Sequence, residues 1–331
     1  MQRFFGHALD RFQRAFLGPK DRHMHSFFEG LCRMVRTTRN WHSVLVSLAL
    51  QRDCVARFRD GNSLSIGSGR LSDYFSIRDI IAANLAGRGP KIRIMSCEGT
   101  GQVVDLCRCK LILTSRFSLN LPFMTFLIEW LSKQDLSGWE VIDIGAYVGD
   151  TSICFASRGA RVHAYEPVPE LFSILVKNIA LNRMEGKILP SKCAVGEGEP
   201  CRILLDEDSW ESSSSYHSWK REIETCSITL GDALRRCRPG TRKILKLNCE
   251  GCEFTVISGQ NVGFLAKFQR IVCFYHSYLT GISREVLLQT MSLAGFRLAT
   301  AGDEQRGVII GDRITNLNGE PGIQSLMFSR T

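Results

Sequence analysis

The stretch VIDIGAYVGDTSICFASRGARVHAYE, residues 141–166, constrains the fold more than any other part of the chain. A short apolar run that begins at Val141 leads into Asp143 and two glycines, and a second apolar run ends at Glu166. The segment between the two runs has the composition of a helix. This order predicts one βαβ unit, with glycines at the first turn and an acid at the tip of the second strand.

The glycine spacing indicates which ligand such a unit would take. Dinucleotide sites use G-x-G-x-x-G, which lets the backbone and a helix N-terminus enclose a pyrophosphate. Here the pattern is D-x-G-x-x-x-G, from Asp143 through Gly145 to Gly149, without a third glycine. An acid before the turn repels a phosphate but suits an ammonium, and Glu166 can accept hydrogen bonds from both hydroxyls of a ribose. The pattern favours S-adenosylmethionine, and a core βαβ unit without a ligand is the alternative.

The rest of the second half of the chain alternates between strand and helix patterns. Such alternation predicts an α/β fold with a parallel, doubly wound sheet, whose ligands bind beyond the carboxyl ends of the strands. A hairpin-like stretch, 201–229, interrupts the alternation, and its serine-rich part, 207–224, is typical of a lid. The predicted strands are 140–144, 161–165, 187–195, 243–249, 269–275, 296–300, 306–310 and 323–329, and the predicted helices are 150–158, 169–182, 253–265 and 283–294.

The first part of the chain has a different pattern of predicted helices and strands. Residues 1–137 are predicted to form an N-terminal α+β accessory region, and residues 138–331 the ligand-binding domain. Apolar residues at helical spacing predict one or two amphipathic helices within residues 1–40. An Asp-Gly pair between two strand-like runs predicts a hairpin near residue 60. Residues 122–133 are predicted to form a helix that covers an edge of the main sheet.

Composition limits the partners of the chain. No apolar run approaches the ~20 residues of a membrane span, and no secretory signal is recognisable, so a cytoplasmic protein is predicted. The net charge is +9, and residues 1–60 hold eleven Lys and Arg against five acids. This basic start could meet a nucleic acid, and residues 1–40 could contact a membrane surface or a second subunit. The simpler interpretations are that the basic residues form a solvated helix face and that the amphipathic helices dock on their own domain.

Thirteen cysteines are unusually many for a chain of 331 residues. Several lie inside predicted strands or helices, where a reduced thiol behaves as a small apolar group, so a reducing compartment is favoured over a disulfide scaffold. The pairs Cys107/Cys109 and Cys249/Cys252 are compatible with zinc or redox chemistry. A four-ligand zinc site needs two cysteine pairs of suitable spacing, and the spacings of these two pairs differ. No metal site is therefore predicted.

Polar residues follow the predicted strands at the edge where a ligand would bind. Lys246 is a buried lysine near a strand end and needs a carboxylate partner, for which Glu250 and Glu253 are candidates. His276 ends the next strand and can act as a general base near neutral pH. The predicted cofactor-binding residues are Asp143, Gly145, Ala146, Tyr147, Gly149 and Asp150 at the first strand tip, Glu166 at the second, Ala194 in a run of small residues at the third, and Asn248 at the fourth; the predicted catalytic residues are His276, Glu250 and Lys246.

These segments together resemble the FkbM-type S-adenosylmethionine-dependent methyltransferases. The resemblance covers roughly residues 138–300 and rests on the order of DIGAYVGDTS, AYEPVPELFSILVKNIALN, AVG, LKLNCEGCEF and FYHS; NWHSVLVSLAL and VARFRDGNSLSI upstream look like the N-terminal region of longer members. It implies a class I methyltransferase fold, Rossmann-like, with seven strands of which the last is antiparallel. It also implies S-adenosylmethionine as cofactor and methylation of a hydroxyl on a sugar, glycolipid or glycosylated natural product.

The chain departs from the family pattern K-x-D-x-E-G-x-E at one informative position. Asn248 stands where the family has an aspartate, which removes a negative charge from the fourth strand tip. A glutamate common before the histidine is replaced by Phe274 or Tyr275. Related metal-dependent methyltransferases hold Mg²⁺ with an acid at the fourth tip, and a hard dication prefers charged oxygen ligands. A metal-independent mechanism is therefore predicted, with Asn248 positioning cofactor or substrate.

The predicted reaction is an SN2 methyl transfer to a hydroxyl-bearing small molecule or glycan. The protein aligns the acceptor oxygen with the methyl carbon and the sulfur, and His276, or else Glu250, draws off the hydroxyl proton. The alternatives are a nucleic-acid methyltransferase and a protein that binds the cofactor without transferring methyl. The amino-methylating Asn/Asp-Pro-Pro-Tyr signature and interleaved basic and aromatic residues are absent from the sequence, so nucleic acid is the less favoured partner. A dehydrogenase is the least favoured alternative.

Overall fold

A computed structural model describes residues 23–50, 52–67, 71–87, 91–97, 101–106, 109–113, 131, 134–205, 213–214 and 221–314. The chain divides into two compact units, Met1–Glu129 and Trp130–Thr331. The division predicted at residue 137 stays a prediction. None of the helices in the described ranges is long and apolar enough to cross a membrane.

The first unit contains helices and small antiparallel sheets. The predicted hairpin near residue 60 is confirmed, with Arg57 opposite Ser63. Behind it, the Tyr74 hydroxyl lies 2.9 Å from Oγ1 of Thr38, and both residues are buried. The helices are α1 (His23–Thr37), α2 (Trp41–Ala49) and α3 (Leu71–Leu85), and the strands are β1 (Cys54–Arg57), β2 (Ser63–Ile66), β3 (Ile92–Cys97), β4 (Gly101–Leu106) and β5 (Cys109–Leu113).

The second unit is built on a seven-stranded sheet flanked by helices. A three-stranded antiparallel sheet and a short parallel pair accompany it. The strands are β6 (Trp139–Ile144), β7 (Arg161–Tyr165), β8 (Ile188–Ser191), β9 (Ala194–Gly196), β10 (Cys201–Leu205), β11 (Ser213–Ser214), β12 (Arg221–Thr225), β13 (Ser227–Thr229), β14 (Arg242–Leu247), β15 (Arg270–His276), β16 (Phe296–Gly302) and β17 (Arg306–Arg313). The helices are α4 (Asp150–Ser157), α5 (Pro169–Leu181), α6 (Leu230–Arg235), α7 (Glu253–Val256), a 3₁₀ turn (Gly259–Asn261), α8 (Val262–Leu265), α9 (Ser277–Thr280) and α10 (Glu285–Leu293).

The main sheet runs in the order β16-β17-β15-β14-β6-β7-β8. Strands β8, β7, β6, β14 and β15 are parallel, and β17 runs antiparallel between β15 and β16. The predicted sheet with its last strand antiparallel is confirmed. Strand β6 is buried at every position because helices cover both faces of a doubly wound sheet. The carboxyl ends of β6, β7, β14 and β15 therefore open at one edge, where the polar residues gather.

Two predicted elements are broken in the structure. The strand predicted over 187–195 stops at Ser191, and the chain then pairs Ala194 with Ser227 in a separate parallel ladder. The helix predicted over 253–265 ends at Val256. The Asn261 side chain donates to the carbonyl of Val256 at 3.0 Å, which satisfies an acceptor that a continuous helix would have used. Ser and Gly follow at positions 258 and 259, and both are weak helix formers.

Several predictions fall outside the described residues. These are the first helix within 1–22, all but one residue of the helix at 122–133, the last strand at 323–329, and most of the lid at 207–224.

Candidate functional site

Two loops meet at the carboxyl edge of the main sheet, one after β6 and one after β14. Gly145 has a φ of +71°, and a Cβ added to it would lie 2.0 Å from the carbonyl oxygen of Asn248. The Asn248 N–H donates to the Ile144 carbonyl at 3.1 Å, so the second loop rests directly on the first. Glycine is required at 145 by both its backbone conformation and this close approach.

A buried ion pair joins the same two strands beneath the loops. Lys246 lies directly beside Asp143 in the parallel register of β14 and β6, and its Nζ is 2.8 Å from Oδ1 of Asp143. The same Nζ donates to the Gly145 carbonyl at 2.8 Å. Oδ2 of Asp143 accepts the hydroxyls of Thr151 and Ser152, both at 2.6 Å. Lys246 and Asp143 are both buried. Their contacts connect β6, β14 and the start of α4.

This arrangement corrects two expectations. Lys246 does have a carboxylate partner, but it is Asp143 and not Glu250 or Glu253, because strand register places Asp143 at its side. Asp143 was expected to meet the ammonium of a ligand with its carboxylate. It has no exposed surface, and both of its oxygens are engaged within the cluster, so it shapes the glycine loop from beneath.

The second strand tip holds the glycine loop through Glu166. One carboxylate oxygen accepts the N–H of Tyr147 and the other accepts the N–H of Val168, both at 2.9 Å. Burial raises the pKa of Glu166 to about 7, although these two N–H groups and the charge of Lys246 act in the opposite direction. Each carboxylate oxygen has two lone pairs, so the pair of oxygens can still accept two further hydrogen bonds. Its contact with ribose hydroxyls stays a prediction.

The glycine loop itself is held in an unusual backbone conformation. Tyr147 has a φ of 52° although it carries a side chain, and Gly149 has a φ of 88° where α4 begins. The N–H groups of Gly145 and Ala146 donate to the Tyr165 carbonyl at 3.1 and 3.0 Å. Asp150 is buried in the first turn of α4, and burial raises its pKa to about 6. Strained residues of this kind persist where the surroundings over-determine them, as at binding sites.

Ala194, predicted to lie against adenine, belongs to the short parallel pair β9–β13 and not to the main sheet. Its N–H donates to the Cys226 carbonyl at 2.9 Å, and the residue is half-buried. Its contact with a cofactor stays a prediction.

The fourth and fifth strand tips are joined by Glu253, at the start of α7. Its Oε1 lies 2.9 Å from Nδ1 of His276 and accepts the N–H of Cys249, also at 2.9 Å, while its Oε2 accepts the N–H of Gly251 at 2.7 Å. On the other side of the imidazole ring, Nε2 is 3.5 Å from Oε1 of Glu250. The histidine therefore lies between two carboxylates, of which Glu253 is fully buried.

The two carboxylates set the protonation of His276. Burial alone would lower the pKa of His276, but the hydrogen bond to Glu253 and the charges of Glu253 and Glu250 outweigh burial, so its pKa lies above the ordinary value of 6.5. The pair resembles in its chemistry a general base whose second nitrogen is oriented by a carboxylate. The predicted catalytic residues His276 and Glu250 are thus brought together, and Lys246 belongs to the buried cluster.

Sequence reasoning missed several residues of this site. Glu253 was considered only as a partner for Lys246, although its place in the K-x-N-x-E-G-x-E run already puts it at the strand tip. Thr151 and Ser152 follow the glycine loop, and their hydroxyls were not considered as partners of Asp143. Cys249 and Cys252 form a disulfide, where free thiols were favoured.

A second group of ionisable residues, Glu140, His163 and Cys237, is buried near the start of β6. Oε2 of Glu140 accepts the N–H of Arg238 at 2.8 Å and lies 3.6 Å from Nε2 of His163. The guanidinium groups of Arg161 and Arg238 both lie 3.8 Å from Oε1 of Glu140. Two guanidinium groups already face this carboxylate, so the group is better described as an ion-pair network than as a cation site.

A doubly wound sheet of this strand order, with a glycine loop after its first strand and an acid after its second, defines the class I methyltransferase fold. Residues 143–298 match the model of the methyltransferase FkbM domain, and this part of the chain belongs to that family. The chain therefore contains a methyltransferase FkbM domain.

The chain is similar to several characterised and solved proteins. The chain is 25% identical to the hexuronic acid methyltransferase AglP of Haloferax volcanii over 218 residues, which cover 64% of this chain and 80% of that protein. Similar solved structures include the precorrin-6y C5,15-methyltransferase of Geobacter metallireducens, with 11% identity, a TM-score of 0.37 and coverage of 61% of this chain and 94% of that chain. A putative rRNA-methylase of Clostridium thermocellum shows 10% identity, a TM-score of 0.38 and coverage of 61% and 98%. The strand order of the main sheet in this chain defines its fold.

Proposed function

We propose that this protein is an S-adenosylmethionine-dependent O-methyltransferase that acts on a hydroxyl of a sugar or of a glycosylated molecule. The observation that carries the proposal is the pairing of His276 with buried Glu253, on the same sheet edge as the glycine loop and Glu166. The glycine loop and Glu166 suit a nucleoside with an amino-acid tail. His276 and Glu253 suit removal of a proton from an acceptor hydroxyl. Together the two parts suit methyl transfer to oxygen.

The cofactor part would be formed by the glycine loop and Glu166. The lone pairs that remain on Glu166 would accept the ribose hydroxyls, and the backbone of 145–149 would line the amino-acid end. The Asn248 side chain would meet the cofactor or the acceptor. When bound, S-adenosylmethionine supplies an electrophilic methyl group on a sulfonium. The buried Asp143–Lys246 pair supports this part by fixing the loop between β6 and α4.

The proton part is the His276 ring and its two carboxylates. Glu253 holds Nδ1, which leaves Nε2 as the nitrogen that accepts the proton of the acceptor hydroxyl. The resulting imidazolium is stabilised by Glu253 and Glu250, which act on the ring from two sides. A raised pKa makes His276 a stronger base, although a smaller fraction of it is neutral at pH 7.

A sugar acceptor is supported by the relative named above as a hexuronic acid methyltransferase. Sugar hydroxyls are weak nucleophiles, which is why a carboxylate-backed histidine would be of use. The proposal is tested through the site residues of this chain, His276 and Glu253 above all.

Two measurements test the proposal in sequence. Calorimetry with S-adenosylhomocysteine should show binding, and nicotinamide dinucleotide should show none. Incubation with methyl-labelled S-adenosylmethionine should then label a uronic acid or glycan fraction, with a mass increase of one methylene. Cofactor binding without label in any fraction would favour the pure binding protein, and label in RNA would favour the nucleic-acid methyltransferase. Absence of heat with folded protein would reject the cofactor assignment itself.

A further inference from the structure

The turn that carries Glu250 is closed by a covalent bond. Cys249 and Cys252, with Cα atoms 5.4 Å apart, form a disulfide directly after β14. The two residues between them adopt positive φ, 52° at Glu250 and 107° at Gly251. A positive φ is costly at Glu250 because this residue carries a side chain, whereas Gly251 adopts it readily. The disulfide therefore closes a turn that holds Glu250 in an unfavourable backbone conformation.

This bond is the disulfide that the described residues contain. Seven other cysteines in the described ranges are free: Cys32, Cys54, Cys193, Cys201, Cys226, Cys237 and Cys273. A chain rich in unpaired thiols does not have the character of a disulfide scaffold. Burial raises the pKa of Cys237 to about 12, and it likewise raises that of Cys273. These thiols are poor nucleophiles, whereas Cys249 and Cys252 are partly exposed.

We propose that Cys249 and Cys252 form a reversible dithiol–disulfide site whose oxidised form holds Glu250 beside His276. Reduction by a dithiol breaks the S–S bond and forms two S–H groups. The dithiol supplies two electrons and two protons and closes into its own disulfide. The substrate class of this second site is therefore a small or protein-borne dithiol. Its consequence for methyl transfer rests on the function proposed above.

The geometry links the bond to the site through its Cys249 end. The N–H of Cys249 donates to Oε1 of Glu253, the same oxygen that meets His276. Asn248 immediately precedes the bond and lies against Gly145. In the reduced form Glu253 still anchors the N–H groups of Cys249 and Gly251, so the turn loosens without unfolding. Displacements near 1 Å in a catalytic group can reduce turnover by up to ~100-fold.

The experiment compares the purified full chain in dithiol and in oxidised-dithiol buffers. Differential alkylation with mass spectrometry should show two more reactive thiols, at Cys249 and Cys252, after reduction. Amide exchange of residues 249–251 should speed up, and methyl transfer should fall by about tenfold. The variant Cys249→Ser/Cys252→Ser should behave as reduced protein in both buffers, and Cys32→Ser, at an exposed free cysteine, should respond as the parent does. Cys249→Ala/Cys252→Ala serves if the serine variant fails to fold.

The outcomes separate this proposal from the proposed function. Thiols at 249 and 252 that never pair in oxidising buffer would overturn it, as would equal amide exchange and equal turnover in the two states. If no acceptor is ever methylated, redox-dependent exchange at 249–251 would still support the dithiol–disulfide site while the methyltransferase proposal fails.

Discussion

Oε1 of Glu253 lies 2.9 Å from Nδ1 of His276 and accepts the N–H of Cys249 at the same distance. A single buried oxygen thus connects the histidine at the end of β15 to the turn that follows β14. Since the other oxygen of Glu253 accepts the N–H of Gly251, the carboxylate fixes the ring and the turn together. The protonation of His276 and the shape of the fourth loop are therefore coupled.

The first prediction concerns Glu253→Gln. The carboxylate raises the pKa of His276 against the effect of burial, so its replacement by a neutral amide should lower that pKa. A base acts when it is neutral, so the acidic limb of the kcat/KM profile should move to lower pH. The measurement is kcat/KM as a function of pH, together with the NMR titration of the His276 ring.

The control is Glu222→Gln, an exposed side chain on β12 in contact with Arg202, which should leave the profile unchanged. An acidic limb that stays at the parent's pH in Glu253→Gln would show that Glu253 has only a structural role.

The second prediction concerns His276→Asn. Loss of a general base lowers turnover by about 10²- to 10⁴-fold, while cofactor affinity should change little because no predicted cofactor contact is removed. Single-turnover methyl transfer and calorimetry with S-adenosylhomocysteine measure the two quantities separately. Turnover within a factor of two of the parent would remove His276 from the mechanism and leave Glu250 as the candidate base.

The third prediction concerns Gly145→Ala. Its Cβ would lie 2.0 Å from the Asn248 carbonyl, so the two loops must separate. Gly240→Ala is the matched control, because Gly240 has nearly the same φ, +74°, with no atom within 4 Å of the added Cβ. Backbone conformation alone should cost the control about 1–2 kcal/mol. The close contact should cost Gly145→Ala a further ~1–3 kcal/mol in urea unfolding. If both variants lose the same free energy of unfolding, the two loops can separate at no cost.

Much of the main sheet could be predicted from the sequence because its strands are short apolar runs that end at glycines or acids. Strand β6 and helix α4 lie within a residue of their predicted bounds, since the glycine loop marks both ends of the turn. The break at Ser191 could not be predicted, because it depends on the pairing of Ala194 with Ser227, which is a tertiary contact. The interrupted helix after Glu253 likewise depends on the Asn261 side chain.

The sequence indicates the positions of the candidate site residues in the sheet better than it indicates their contacts. His276, Glu250 and Glu166 do lie at strand tips on one sheet edge, as parallel topology requires. The partner of Lys246 was wrong because strands β6 and β14 are neighbours in space but far apart in sequence, and only their register places Asp143 beside the lysine. The Cys249–Cys252 bond also escaped prediction, because the spacing of two cysteines does not reveal whether they are oxidised.

The fourth prediction concerns Lys246→Met. The substitution leaves Asp143 buried without its cation and should cost about 3–5 kcal/mol in the free energy of unfolding. The double variant Asp143→Asn/Lys246→Met should recover a large part of that loss, because the uncompensated charge is gone. Arg202→Met breaks an exposed ion pair with Glu222 and should change stability little. If Lys246→Met and Arg202→Met are equally stable, the buried pair does not hold the strands.

The last prediction concerns the pH dependence of cofactor binding. Burial raises the pKa of Glu166 to about 7, so the carboxyl is largely protonated at pH 6 and largely ionised at pH 8. Ribose hydroxyls donate to the ionised form, so binding at pH 6 must release a proton, and affinity should rise with pH through neutrality. Calorimetry in buffers of different ionisation enthalpy should detect release of about one proton per ligand at pH 6 and almost none at pH 8.

Two variants identify the group responsible for that proton. Glu166→Gln should bind more weakly and without proton release, whereas Asp150→Asn should retain the release, although burial raises the pKa of Asp150 to about 6 as well. If proton release disappears in Asp150→Asn and persists in Glu166→Gln, the proton comes from Asp150 at the start of α4. The ribose would then have to bind at another strand tip. If ligand binding does not change the ionisation of Glu166, this carboxyl does not accept hydrogen bonds from the ribose hydroxyls.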